Sequence, residues 1–96
     1  MYLVRRVCRV QPGKARDVAA CLDKICAAYE KNGRSKATIY VGGLGSDPNV
    51  VYCEWIQDVI KPATADEIPA SVYEDDAVMR PNLLSYDLQV FEAIPR

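Results

Sequence analysis

Polar and apolar residues alternate from the start of the chain. Residues 2–10 read Tyr-Leu-Val-Arg-Arg-Val-Cys-Arg-Val. A period of two puts Val4, Arg6, Cys8 and Val10 on one face and Leu3, Arg5, Val7 and Arg9 on the other, which predicts a strand. Pro12 and Gly13 mark a turn over 11–14. The period then changes. Over 14–32, at about 100° per residue, Ala15, Val18, Ala19, Cys21, Leu22, Ile25, Cys26, Ala28 and Tyr29 cover one half of a helical cylinder. The charged residues between 15 and 31 all fall on the other half. A stripe this broad predicts a helix packed flat on a sheet, ended by Lys31 in its last turn and Gly33 just beyond.

Two more strands follow at 36–42 and 50–57, the second rich in β-formers (Val-Val-Tyr-Cys-Glu-Trp-Ile-Gln). The glycines, Asp47 and Pro48 between them predict a hairpin loop. The glycine cluster at 42–45 is no phosphate loop, because no helix follows it. The stretch 58–85 holds Pro62, Pro69 and Pro81. Thr64 and Glu67 have capping-box spacing, as do Ser71 and Glu74. Pro69 is tolerated only in a first turn, so a short helix is predicted over 69–80, with Val72, Tyr73, Val78 and Met79 as its apolar face and Pro81 as its stop. A last strand is predicted over 86–93.

This order defines the fold class: α+β, ferredoxin-like βαββαβ, with a four-stranded antiparallel sheet and helices on one face. Leu3, Val7, Val50, Tyr52, Ile56 and Phe91 fall on the other face, which no element is left to cover. Pairing two sheets face to face would bury it, so a homodimer is expected. Arg5, Arg9 and Glu54 share that face and must pair with one another or sit at its rim, since unpaired buried charge is costly.

Ninety-six residues make a single domain, 1–96, and a chain this short buries too little surface to be comfortable alone. A hydrophobic share of 50% with 26% charged residues is globular rather than disordered. A net charge of -1 with no like-charge run makes no electrostatic case for nucleic acid or anionic membrane. No apolar run approaches the roughly 18 residues of a membrane span, and the first residues lack a signal-peptide core, so a cytoplasmic protein is expected. Cys8, Cys21, Cys26 and Cys53 form no CxxC pair and there is no histidine, which removes a zinc site. Cys21 and Cys26 lie too far apart on one helix to be bridged, and free buried thiols are expected. No metal or cofactor is expected.

The run from Val4 to Lys14, with Val10-Gln11-Pro12-Gly13-Lys14 leading into a long amphipathic helix, resembles the start of the antibiotic-biosynthesis-monooxygenase and NIPSNAP-like families of the dimeric α/β-barrel superfamily. Val51-Tyr52-Cys53-Glu54-Trp55-Ile56 is similar to their third strand. The likeness covers about the first sixty residues and the element order. It implies a dimeric barrel with one apolar cavity per subunit, between sheet and helices, which in enzymatic relatives takes flat aromatic substrates. It further implies that Trp55 and Arg6 line this space, and alternation agrees, placing both on the helix-facing side with Cys8 and Cys53. Haem-handling relatives generally rely on a histidine near the second helix. This chain has none, so imidazole ligation of haem is excluded.

Each of these residues has a plainer role as well. Trp55 reads first as core packing with a satisfied indole N–H. Arg6 reads either as an ion pair with Glu67, Glu74, Asp75 or Asp76, or as a ligand-facing guanidinium suited to a carboxylate or phenolate. Tyr40 and Tyr52 read as cross-strand aromatics on the dimer side, and Asp75-Asp76 as a solvated helix surface. No nucleophile–base pair is visible. Three functions remain open: a cofactor-independent, monooxygenase-like enzyme on a small aromatic substrate, a non-catalytic protein binding a small aromatic or apolar acid, and an accessory dimer whose cavity is filled by side chains.

Overall fold

The computed structural model describes residues 1–96. Its elements run β1 (Tyr2–Val10), α1 (Ala15–Lys31), β2 (Thr38–Val41), β3 (Val50–Gln57), α2 (Ala70–Met79) and β4 (Leu83–Glu92). One antiparallel sheet has the strand order β2-β3-β1-β4, the ferredoxin-like arrangement expected from the pattern of elements. The alternation along β1 holds. Val4, Cys8 and Val10 are buried under the helices together with Val51, Cys53 and Trp55 from β3. From α1, the residues Ala15, Val18, Leu22, Ile25 and Cys26 fill the other side of this core. The molecule is a slab of 37 × 36 × 18 Å, one sheet layer and one helix layer thick.

Cross-strand register sets which side chains meet. Arg5 stands opposite Glu54, Arg6 opposite Cys53 and Tyr40 opposite Tyr52. The tyrosines are thus cross-strand partners, on the face away from the helices. The hairpin between β2 and β3 is tight at Gly42, where a Cβ atom would lie 1.8 Å from the Asp47 carbonyl oxygen. Only glycine fits there without moving the loop.

The structure shortens or shifts several predicted elements. β2 begins at Thr38, because the Ala37 N–H donates to the Glu30 side chain at 2.8 Å and ties that residue to α1. β4 begins at Leu83, where a bulge between Arg9 and Val10 lets Leu83 pair with Val10. Neither capping box forms: Thr64 precedes only a 3-10 turn and bonds to Asp66, while Ser71 lies inside α2. The apolar face of α2 is narrower than predicted. Val72 and Met79 are buried, but Tyr73 and Val78 are 56% and 65% exposed. Seven residues make nearly two full turns, so 72 and 79 share a face, whereas 73 and 78 flank it by about 100° on either side.

That narrow face governs what α2 covers. It packs mainly on α1, leaving the helix-facing side of β4 bare. Leu88 and Val90 point to the same side as Arg6 and Val4, their direct partners on β1. They remain 57% and 45% exposed.

Candidate functional site

The site is built from the middle of the sheet outward. Arg6 projects from the helix-facing side of β1, next to Cys53 and Trp55 on β3 and to Tyr86 and Leu88 on β4. Its guanidinium carbon lies 5.2 Å from the centroid of the Trp55 ring, 5.8 Å from that of Tyr86 and 5.9 Å from that of Tyr29 on α1. Three electron-rich faces around one cation is a cation–π cage. The Trp55 indole N–H donates to the Gln57 side-chain oxygen at 2.6 Å, so the tryptophan is satisfied as a core residue and still borders the site.

Arg6 has no acidic partner. The chain's ion pairs are Arg5–Glu54, Arg9–Asp47, Lys14–Asp17 and Arg80–Asp76. The alternative in which Arg6 pairs with Glu67, Glu74, Asp75 or Asp76 is therefore not realised, and Asp76 instead accepts from Arg80 at 2.6 Å. The Arg6 Nε is buried and makes no hydrogen bond. A buried donor without a partner carries a desolvation cost that an incoming acceptor would relieve.

A second cation, not singled out from the sequence, completes the arrangement. The Arg34 guanidinium stacks 3.8 Å from the centroid of Tyr29 and 4.3 Å from that of Trp55. It reaches them because of the way α1 ends. Gly33 turns the chain in the left-handed region (φ 99°), its N–H bonds to the Glu30 carbonyl at 3.1 Å, and the Arg34 N–H returns to the Tyr29 carbonyl at 3.2 Å. This is a Schellman cap, which seats the residue after the glycine beside the residue three before the helix end. Glycine at 33 was thus the sequence signal that placed Arg34 on Tyr29. Burial, and then repulsion from Arg6, make Arg34 easier to deprotonate than usual.

Cys8 and Cys53 lie beneath this cluster and are completely buried. The Cys53 sulfur sits 3.1 Å from that of Cys26 on α1. Hydrogen bonding to Cys26, together with burial, holds the Cys53 thiol protonated, while the bond from Cys53 lowers Cys26. Burial pushes the Cys8 thiol up to about 11. The two sequence-predicted cysteines therefore belong to a closed core, and Arg6 and Trp55 to its rim. The open space nearby begins beyond Arg34, as a cleft of about 370 Å³ lined by Gly33, Arg34, Gln57, Lys61 and Glu67 among others. Burial raises the Tyr86 phenol against the opposing effect of Arg6, so it keeps its proton. No cluster of side chains suited to a metal ion is present, and no helix is long and apolar enough to cross a membrane.

No known family profile matches the sequence, and no curated protein matches it. Solved structures do match along the whole chain. A protein of Nitrosomonas europaea, provisionally named an antibiotic biosynthesis monooxygenase, superposes with a TM-score of 0.76 at 11% identity, covering 99% of this chain and 100% of its own. A protein of Chloroflexus aurantiacus with the same provisional name gives 0.72 at 15% identity, over 99% and 94% of the two chains. An uncharacterised NIPSNAP domain protein of Burkholderia xenovorans gives 0.70 at 12% identity, over 98% and 95%. At these identities the likeness shows a common fold, that of the antibiotic-biosynthesis-monooxygenase and NIPSNAP-domain structures, and the activity must be argued from the site.

Proposed function

We propose that the protein is a homodimer that binds a small aromatic or apolar acid as its anion, with the negative group at Arg6. The observation that carries this reading is the unpaired Arg6 guanidinium, its Nε buried without a partner and its faces ringed by Tyr29, Trp55 and Tyr86. Arginine keeps its charge at any ordinary pH, so relief comes from an acceptor and not from deprotonation. Leu88 and Val90, exposed beside Arg6 on the same side of the sheet, offer the apolar body a surface. A few convergent polar groups against apolar side chains are the usual makeup of a small-molecule site.

The homodimer reading is supported by the opposite face. Ile56, Phe91 and Tyr40 are exposed there, and the Arg5–Glu54 pair stands among them. A second copy would cover these groups and double the thickness of the slab.

The names of the structural neighbours favour a second reading, a cofactor-independent monooxygenase-like enzyme. The chain places no base beside Arg6: the Tyr86 phenol and the Cys8 and Cys53 thiols are all held protonated. A substrate would therefore have to arrive already ionised. Its carbanion would pass an electron to dioxygen, the radicals would combine to a hydroperoxide, and loss of water would leave a carbonyl. The net change is CH2 plus O2 to C=O plus H2O, with Arg6 holding the oxyanion.

Trp55 is the only tryptophan, so its fluorescence reports the site directly. Titration with benzoate should give a saturable change that Arg6→Gln abolishes. An identical response in both proteins, or none in either, removes the binding reading. Oxygen uptake with an added quinol, dependent on the protein and on Arg6, would select the enzymatic reading.

A further inference from the structure

We propose that the ligand of this site carries two negative charges on one edge of a planar apolar body, one for Arg6 and one for Arg34. The inference rests on the anion-binding reading of Arg6 given above and goes beyond it by assigning Arg34 as a second binding residue that sets specificity.

Both guanidiniums lie against the same two rings, Tyr29 and Trp55. Like charges this close, partly removed from water, repel. Neither is compensated by the chain. The nearest acids are otherwise engaged or out of reach. Glu30 accepts from the Ala37 N–H, and Asp76 from Arg80. Asp58 and Glu67 line the outer cleft with Arg34 but form no ion pair with it. A monoanion would neutralise one arginine and leave the other. Two adjacent anionic groups would satisfy both, each by the forked, charge-assisted hydrogen bonds that guanidinium favours.

The order across the sheet fixes the ligand's orientation. Arg34 lies over β3, Arg6 rises from β1, and the bare strip of Leu88 and Val90 belongs to β4. A flat body resting on that strip directs one edge at Arg6 and, beyond it, at Arg34. Two charged groups on neighbouring ring atoms match this line better than two on opposite ends.

The test compares phthalate, with two adjacent carboxylates, against benzoate, with one, by isothermal titration of the intact protein. Phthalate should bind at least about tenfold tighter to the wild type. Arg34→Gln should remove the advantage of phthalate, so that the two acids bind the variant with equal affinity. Arg34 sits on a loop, and thermal unfolding followed alongside checks that the variant stays folded. Equal affinities of the two acids for the wild type overturn the second-charge inference and leave the Arg6 site standing. Failure of both acids to bind the wild type overturns the Arg6 reading, and this inference falls with it.

Discussion

Arg5 and Glu54 stand directly opposite one another on β1 and β3, and the Arg5 Nε donates to the Glu54 Oε1 at 2.6 Å. The Arg5 guanidinium also lies 5.0 Å from the centroid of the Phe91 ring. The pair therefore bridges three strands on the face that the helices leave open.

Breaking this pair, and separately replacing it whole, reads out what covers that face. A partly exposed pair is worth at most about 1 kcal/mol. A pair closed inside an interface behaves differently, because removing one partner strands the other charge and costs about 3–5 kcal/mol. With the proposed dimer, Glu54→Gln should weaken association by the larger amount and make thermal unfolding more concentration-dependent, while Arg5→Met/Glu54→Met together should recover most of the loss. Sedimentation equilibrium of the three proteins is the measurement. A monomeric wild type, or a cost of 1 kcal/mol or less independent of concentration, speaks against the dimer.

Cys26 and Cys53 connect α1 to β3 through sulfurs 3.1 Å apart. Treatment with hydrogen peroxide should join them: two S–H bonds break, one S–S bond forms, and the peroxide leaves as two waters. The intact mass should fall by about two hydrogens, and two thiols should vanish from a titration under denaturing conditions. Cys53→Ala should prevent this, whereas Cys21→Ala, on the partly exposed side of α1, should not. Retention of four titratable thiols after treatment would show that the sulfurs cannot close to bonding distance.

Cys8 makes stability fall at high pH. Its thiol is pushed from the usual 9.0 up to about 11 by burial. Above pH 9 the unfolded chain releases this proton and the folded chain does not, so unfolding is favoured as pH rises. The contribution is complete below pH 9, declines from there by about 1.4 kcal/mol per pH unit, and levels off near pH 11. Urea unfolding at pH 8, 9 and 10 should show wild type losing stability relative to Cys8→Ala only above pH 9. A difference that stays constant across the range would rule out a titrating Cys8.

Along α2, burial rather than hydrophobicity sets the cost of truncation. Met79→Ala, at a fully buried position, should destabilise by about 2–5 kcal/mol. Val78→Ala, one residue away but exposed, should stay within about 0.5 kcal/mol. Chemical denaturation of the two variants tests this, and comparable losses would mean that α2 faces its neighbours differently.

Much of this was legible along the chain. The period of two across 2–10 separates Val4, Cys8 and Val10 from Arg5 and Arg9, and the fold keeps that division. The stripe from Ala15 to Tyr29 marks the buried side of α1 in the same way. Arg6 and Trp55 were brought together by the resemblance to the monooxygenase-like families, and alternation agrees in putting both on the helix-facing side of their strands. The misreading of α2 had a physical cause: with only Val72 and Met79 truly in line, ten residues carry too little pattern to separate the buried face from its flanks.

What the sequence determined by itself was therefore local: the elements, their order, and the face each residue occupies, since these follow from backbone geometry repeated every two or every 3.6 residues. Tertiary structure decided which faces meet and which stay bare. It brought Cys26 to Cys53, carried Arg34 back onto Tyr29 and Trp55, and left Arg6 without a carboxylate beside an exposed Leu88 and Val90. Those outcomes depend on how far α2 reaches over β4 and on where a glycine turn returns the chain. Both are settled by contacts between residues distant in sequence, to which no local period is sensitive.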